Sequence, residues 1–351
     1  MAMNVSGYAT KSAKDNLGPF SFTRRDPRED DVLIEILYCG VCHSDLHQAR
    51  NDWGNSAYPM VPGHEIIGRV ASVGPKVKRF RKGDHVGVGC MVDSCQHCAA
   101  CEQGLEQYCE EFPTFTYNAA DRHDKMPMFG GYSDKIVVSD KFVVKIPEGL
   151  DLKAAAPLLC AGITTYSPLR HWNVGKKSKV AVVGLGGLGH MALKLAKAMG
   201  ADVTLFTRSP GKEKDARRLG AKYVVLSTDE KQMAAVKGKF DLIIDTVPYV
   251  HDLNPYLPTL SLNGTLVLVG YLGGLEPVLN TVSLIMGRKS VAGSVIGGIA
   301  ETQAMLDFCG KHGITSDVEV IRIQDINEAY ERMLKSDVKY RFVIDMASLK
   351  A

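Results

Sequence analysis

Residues 179–207 read KVAVVGLGGLGHMALKLAKAMGADVTLFT, and this stretch decides the fold. Lys179–Val183 is an apolar, β-branched run of strand length, and the glycine-rich turn Gly184-Leu185-Gly186-Gly187-Leu188-Gly189 follows it. Leu188, Met191, Ala192, Leu195 and Met199 then share one face of a helix. Lys194 and Lys197 point away, and Gly200 stands where a C-terminal cap belongs. A second strand, Asp202–Thr207, comes at once. In this strand–turn–helix–strand setting Gly184, Gly186 and Gly189 match G-x-G-x-x-G. The first glycine allows the tight turn, the second lets a pyrophosphate approach the backbone, and the third lets helix and strand pack closely. A phosphate placed there meets the free N–H groups of the helix N-terminus. The same turn could be structural alone; its flanking elements favour a dinucleotide site.

The tip of the second strand bears on which dinucleotide. An acid there would accept from both ribose hydroxyls and repel a 2′-phosphate. The residues are Thr207, Arg208 and Ser209, with Lys212 following. Two cations and two hydroxyls suit a phosphate, so NADP(H) is expected. The competing reading makes Arg208 and Lys212 solvated charges at a strand–helix junction.

Outward from this stretch, Tyr223–Leu226, Phe240–Thr246 and Thr265–Gly270 read as further buried strands separated by helical segments. Such alternation implies a parallel sheet with right-handed crossovers. The pattern begins near Ala154. Before it the chain is β-rich: Asp31–Tyr38, Ile66–Val73, Lys82–Val88, Asp134–Val138 and Phe142–Ile146 are short strands with Gly, Pro and Asp between them, as in a closed or partly open barrel. Near the end, Asp325–Lys335 places Ile326, Ala329, Tyr330 and Met333 on one helical face. Lys339–Asp345 reads as a last strand, expected to rejoin the N-terminal domain.

The 351 residues suit two domains, and 45% hydrophobic with 23% charged residues is a globular profile that excludes disorder. A net charge of +3 gives no footprint for nucleic acid. No apolar stretch approaches the roughly 20 residues that span a bilayer. Met1–Lys14 is polar, without the apolar core of a signal peptide, so a cytoplasmic protein is expected. Nine cysteines in such a chain point to reduced thiols and metal ligation rather than disulfides.

Five of the nine lie in Cys90–Glu111, which has no clean periodicity. Cys95-x2-Cys98-x2-Cys101-x7-Cys109 supplies four thiolates, a closed tetrahedral shell for a structural zinc. A ferredoxin-like run needs its fourth cysteine three residues on, with proline behind it; here the gap is seven and Glu110 follows. Cys90 reads as a buried thiol on the preceding strand. Elsewhere Cys39-Gly-Val-Cys42-His43-Ser44-Asp45-Leu46-His47 and Gly63-His64-Glu65 combine cysteine, histidine and carboxylate. These suit a zinc with three protein ligands and an open position. Spacing does not establish that Cys42 and His64 meet, and a structural histidine or a Cys39/Cys42 redox pair stays open.

Taken in order, CGVCHSDLH (39–47), YPMVPGHE (58–65), GVGC (87–90), the four-cysteine lobe, GGYS (130–133), LLCAGITTY (158–166), GLGGLG (184–189) and YRFVID (340–345) cover nearly the whole chain. The set resembles the zinc-containing medium-chain alcohol dehydrogenases, in the cinnamyl-alcohol-dehydrogenase-like branch with its bacterial aldehyde reductases. That resemblance implies an α/β fold in two parts. A discontinuous GroES-like β-barrel catalytic domain would occupy 1–153 and 300–351, with the structural zinc lobe at 90–111. A Rossmann domain, a doubly wound parallel sheet binding NADP(H), would occupy 154–299.

The resemblance also implies two zinc ions per chain. Cys42, His64 and Cys160 would ligate the catalytic one, with Glu65 a carboxylate able to approach it and Asp45 fixing the histidine tautomer. Cys95, Cys98, Cys101 and Cys109 would hold the structural one. The catalytic zinc would polarise the oxygen of a primary alcohol or aldehyde while hydride passes to or from the nicotinamide. Ser44 would start a proton relay through the ribose hydroxyls to His47, an imidazole able to take up and release a proton at the outer end. His43 and Arg341 would lie near the pyrophosphate. Thr164, Thr246, Gly270, Ser294, Val295 and Ile296 would line the nicotinamide half. Trp53, Tyr58, Phe112, Phe115 and Ile296 would line a channel suited to benzyl, cinnamyl or medium aliphatic substrates, although Thr114–Met128 departs from the plant lignin enzymes. A homodimer is implied, through edge strands near Thr281–Ser290, with no nucleic-acid or membrane partner. Cys39, Cys90 and Cys309 are left without a function. Two rival readings are an NAD-dependent alcohol oxidiser of the same family and a non-catalytic, zinc-stabilised nucleotide-sensing module.

Overall fold

Lys179–Val183 hands over to helix Gly187–Ala198 through the glycine turn in a computed structural model that describes residues 3–270 and 273–350. The strand is the third in a six-stranded sheet ordered Tyr223–Leu226, Asp202–Thr207, Lys179–Val183, Phe240–Asp245, Leu260–Leu268, Ser290–Gly293. All neighbouring pairs are parallel. The winding reverses between Lys179–Val183 and Phe240–Asp245, and in open α/β sheets the crevice beyond such a reversal is where ligands bind. The central strands are buried on both faces, with Val180, Ala181 and Val182 fully covered; this is why they read as continuous apolar runs. The strand expected at Thr265–Gly270 starts earlier and ends at Leu268, so Gly270 lies just past it.

The β-rich part forms a seven-stranded sheet centred on Asp31–Val41, which pairs with Ile66–Val73, Lys135–Ser139 and Arg341–Asp345. Val32, Ile34 and Ile36 alternate inward and pack with Ile66, Val70, Ile136, Phe342 and Ile344. The last strand runs antiparallel to Asp31–Val41, with Phe342 opposite Val41. The C-terminal chain thus completes a sheet begun near residue 31. Helix Ile326–Leu334 buries Ile326, Ala329, Tyr330 and Met333, the four residues of its apolar face.

The chain forms two compact units: residues up to Cys160 together with those from Gly297 on, and Ala161–Ile296. The sequence reading put the junctions at 153/154 and 299/300; residues 1, 2 and 351 of its ranges lie outside the described residues. The segment 152–160 packs in the first unit, where Ser316 N donates to Ala154 O at 3.0 Å. Among the strands, the hairpin Met3–Ala9 with Gly18–Arg24, the short pair Met91–Asp93 with Thr114–Phe115, and Val318–Arg322 have no counterpart in the sequence analysis. Met91–Asp93 and Thr114–Phe115 are too short for any period to show. Gly18–Arg24, by contrast, does alternate, with Phe20 and Phe22 against Ser21 and Thr23, and could have been read. Among the described residues no helix is long and apolar enough to cross a membrane.

Candidate active site and metal centres

The four thiols of Cys95, Cys98, Cys101 and Cys109 converge, their sulfurs all within 4.8 Å of one another. Backbone amides aim at these sulfurs: Cys95 N at Cys109 Sγ (3.4 Å), Cys98 N at Cys95 Sγ (3.3 Å) and Glu110 N at Cys98 Sγ (3.4 Å). Such donors favour the thiolate, and the N–H groups of Glu110 and Cys101 lower the Cys98 thiol to about 6. Burial pushes Cys101 up to about 12. Arg122 adds a cation, donating to Cys109 Sγ at 3.8 Å, to Glu111 O at 3.1 Å and to Phe112 O. Four sulfurs with converging donors fit a closed zinc site.

The second cluster is assembled from distant elements. Cys42 precedes helix His43–Ala49, His64 and Glu65 precede strand Ile66–Val73, and Cys160 precedes helix Ala161–His171. One ligand atom from each of Cys42, His64, Glu65 and Cys160 lies within 4.8 Å of the others, and all four residues are buried. Cys42 and Cys160, 118 positions apart, bring their sulfurs to 3.9 Å. The Cys160 thiol as donor and the Arg341 cation hold Cys42 well below the usual thiol range.

Asp45, fully buried, organises the cluster. Its Oδ1 accepts from Gly63 N (3.1 Å) and lies 3.0 Å from His64 Nδ1; its Oδ2 accepts from Cys42 N (2.9 Å) and Tyr132 OH (3.4 Å). With Nδ1–H committed to Asp45, His64 keeps the Nε2 lone pair for a metal. Tyr117 stacks on the His64 ring at 5.9 Å. Glu65 Oε1 pairs with Arg341, and both side chains are almost fully buried. Glu65 Oε2 is buried without a hydrogen-bond partner, and a Cβ at position 40 would collide with it, so Gly40 gives this carboxylate its room. Burial raises Glu65 to about 7 against the opposing pull of Arg341. Two thiols, a tautomer-fixed imidazole and an unpartnered buried carboxylate oxygen are a donor set that fits a divalent cation.

In the other unit, Gly184 adopts φ +89° and a Cβ on Gly189 would run into the Gly184 carbonyl, so both positions require glycine. Lys212 Nζ donates to Leu185 O at 3.1 Å, which ties the end of the second strand to the glycine turn. Arg208 and Ser209 are exposed beside it, whereas the Thr207 hydroxyl accepts from Ser209 N at 3.1 Å. Thr246 donates to Val183 O from both N (3.1 Å) and Oγ1 (2.7 Å). Ser294 N donates to Leu268 O at 3.1 Å, and Thr164 is buried within helix Ala161–His171.

Residues 28–148 match the alcohol dehydrogenase GroES-like domain, and residues 187–311 match the zinc-binding dehydrogenase domain. The chain belongs to the zinc-containing medium-chain alcohol dehydrogenases. It is 53% identical to the aldehyde reductase YahK of Escherichia coli over 99% of both chains. To the NADP-dependent alcohol dehydrogenase C of Mycobacterium tuberculosis it is 51% identical, over 98% of this chain and 99% of that one. Among solved structures it is similar to a cinnamyl alcohol dehydrogenase of Sorghum bicolor (48% identity, TM-score 0.94, 98% of both chains). The same holds for CAD from Helicobacter pylori, solved with NADP(H) (45% identity, TM-score 0.91, 99% of both chains). These relatives agree with the expected two-part fold of a GroES-like and a Rossmann domain.

In this alcohol dehydrogenase the residues named for proton transfer lie on one short helix. Ser44 Oγ is 3.7 Å from Cys42 Sγ, and the His43 and His47 rings are 6.1 Å apart. His47 Nδ1 lies 2.7 Å from Asp52 Oδ2, and Trp53 packs on the His47 ring at 5.8 Å. Arg341, expected near the pyrophosphate, is found in the buried ion pair with Glu65. Tyr58 OH donates to Ala49 O at 2.8 Å; Trp53, Phe112 and Phe115 are 40%, 79% and 45% exposed. Ile296 has φ +37°. The sequence reading missed Asp52, Tyr117 and Tyr132. Tyr132 was visible inside GGYS, and Asp52 as a carboxylate just beyond the His47 helix; neither had a sequence signal for its partner.

Proposed function

We propose that this chain is an NADP(H)-dependent zinc alcohol dehydrogenase working mainly as an aldehyde reductase on aromatic or medium aliphatic substrates. The observation that carries this reading is the buried Cys42–His64–Glu65–Cys160 cluster with its histidine oriented by Asp45. Cys42, His64 and Cys160 would hold the catalytic zinc, and Cys95, Cys98, Cys101 and Cys109 the structural one. Bound zinc supplies Lewis-acid polarisation of the substrate oxygen, and the nicotinamide supplies or takes the hydride.

The chain's own groups do the rest. Asp45 keeps His64 in the Nδ1–H tautomer, and Arg341 balances the Glu65 charge in a buried setting. Ser44 hands a proton inward or outward, and His47, 30% exposed, exchanges it with solvent. Asp52 accepts from His47 Nδ1–H, leaving Nε2 for the transfer. Arg208, Ser209 and Lys212 receive the 2′-phosphate, and the glycine turn the pyrophosphate. Thr164, Thr246, Gly270 and Ser294–Ile296 belong to the nicotinamide half. The unit ending at Cys160 and resuming at Gly297 is on this reading the catalytic domain, and Ala161–Ile296 the cofactor domain.

A homodimer fits the exposed apolar residues Val278 (83%), Val282 (63%), Ile285 (75%) and Met286 (81%), which precede the edge strand Ser290–Gly293. The nine free thiols suit the reducing cytoplasm. An aldehyde panel assayed with NADPH and with NADH, beside a zinc count, tests the proposal. Two zincs per chain and a strong NADPH preference are expected. No zinc-dependent NADPH oxidation across the panel would sink it, and an NADH preference would favour the NAD-dependent rival.

A further inference from the structure

We infer that His251 is a doubly protonated clasp on the loop after strand Phe240–Asp245, and that its charge tunes how tightly the Rossmann unit holds its dinucleotide. The inference rests on the cofactor reading above. Asp245 ends that strand fully buried, and its Oδ2 lies 2.8 Å from His251 Nε2. The other ring nitrogen, Nδ1, lies 2.8 Å from the carbonyl oxygen of Tyr249. Both neighbours are acceptors, a carboxylate and a backbone carbonyl. A neutral imidazole has one N–H and can satisfy only one of them; the imidazolium satisfies both.

The clasp bears on the cofactor turn through Thr246. Asp245 Oδ1 accepts from Val247 N at 3.0 Å, so carboxylate and imidazolium together pin residues 247–251. Thr246, between Asp245 and this loop, holds Val183 O with two hydrogen bonds. Its Oγ1 lies 3.2 Å from where a Cβ on Gly184 would stand and 3.3 Å from one on Gly189. A loop that slackens therefore shifts a side chain packed against both glycines of the pyrophosphate turn.

The charges facing His251 come from more than its own loop. Asp245 and Asp252 favour the cation, and the Tyr256 ring meets the imidazole edge-on at 6.5 Å, with Arg208 acting on that tyrosine. Burial disfavours the cation, but the carboxylates and the Tyr249 carbonyl outweigh it, raising His251 above its ordinary value. A raised histidine contributes fully below its unfolded pKa and loses that contribution as pH rises through the folded one. The dinucleotide should therefore bind more weakly toward alkaline pH.

The test uses the zinc-loaded protein with 15N-labelled histidine, and fluorescence titration of NADPH and of NADH from pH 6 to 9. At pH 6 both His251 nitrogens should carry protons, and wild-type affinity should fall by about fivefold over the range, the worth of one hydrogen bond. His251→Gln should bind at the weak level throughout. Asp245→Asn can donate to a neutral His251 while the Nδ1–H still serves Tyr249 O, so its affinity should lose the pH step. A neutral His251 at pH 6, or a wild-type affinity as flat as that of both variants, overturns the clasp alone. Failure of either nucleotide to bind the wild type would overturn it together with the cofactor reading.

Discussion

The four-thiol lobe and the Cys42–His64–Glu65–Cys160 cluster can both take a metal, yet they are built on opposite plans. The lobe draws its ligands from Cys95–Cys109 around the short helix Ala99–Glu102, and Cys95 and Cys98 remain partly exposed. Little apolar packing holds that segment, so its shape depends on ligation itself. The second cluster gathers ligands up to 118 positions apart and buries them all. There the seven-stranded sheet does the positioning, and Asp45, Tyr132 and Arg341 hold the ligands through contacts of the chain's own. The difference teaches that, on the proposed reading, metal at the lobe would support the fold and metal at the cluster the chemistry.

Exchanging damage between the two sites is the strongest way to break this contrast. Cys160→Ala should lower turnover by about a thousandfold or more, since the lost polarisation is worth several kcal/mol, while one zinc per chain and near-normal melting remain. Cys101→Ala should instead remove the lobe zinc and melt or aggregate at markedly lower temperature. Zinc counts and thermal melts of the two variants decide it, and similar melting in both would end the contrast. Ser44→Ala should cut turnover by roughly 10²-fold or more with both zincs retained; near-normal turnover would remove Ser44 from the relay.

Smaller changes probe what surrounds the ligands. Asp45→Asn should weaken zinc at the buried cluster by about 10–100-fold, judged by chelator competition, and leave the lobe untouched. Arg122→Ala should do the reverse: zinc leaves the lobe a few-fold faster, because Cys109 and the Glu111 and Phe112 carbonyls lose their donor. The mildest effect concerns Asp121, next to Arg122. Burial pushes its carboxyl up, but Arg28, the His123 amide and Arg25 outweigh this and hold it at about 2. A depressed carboxylate stabilises above its unfolded pKa and loses that contribution as pH falls through the folded one. Asp121→Asn should thus melt slightly lower than wild type above about pH 4, with the gap closing toward pH 2.

The same contrast explains what was legible. The lobe could be read from spacing because its ligands are neighbours in the chain. The glycine turn could be read because strand, turn and helix follow one another directly. Cys160 had no local signature and entered only through the family resemblance. Asp52, Tyr117 and Tyr132 were missed because each acts through a side chain on another segment or on the far side of a turn. The pairing of Arg341 with Glu65 had no sequence signal either, because the two residues are 276 positions apart and meet only in the folded sheet.

What the sequence determined by itself is local: the four-thiol set, the dinucleotide turn, the missing acid after Thr207, and the alternation of strands and helices from about Ala154 on. Covalent spacing and the periods of helix and strand govern these, and they hold before the chain folds. The tertiary structure alone decided that Cys42 and Cys160 meet, that His64 gives its Nδ1–H to Asp45, and that His251 stands between a carboxylate and a carbonyl. Those choices depend on which elements pack side by side, because a hydrogen bond or a ligand set forms only between groups that the fold has brought within about 3–4 Å.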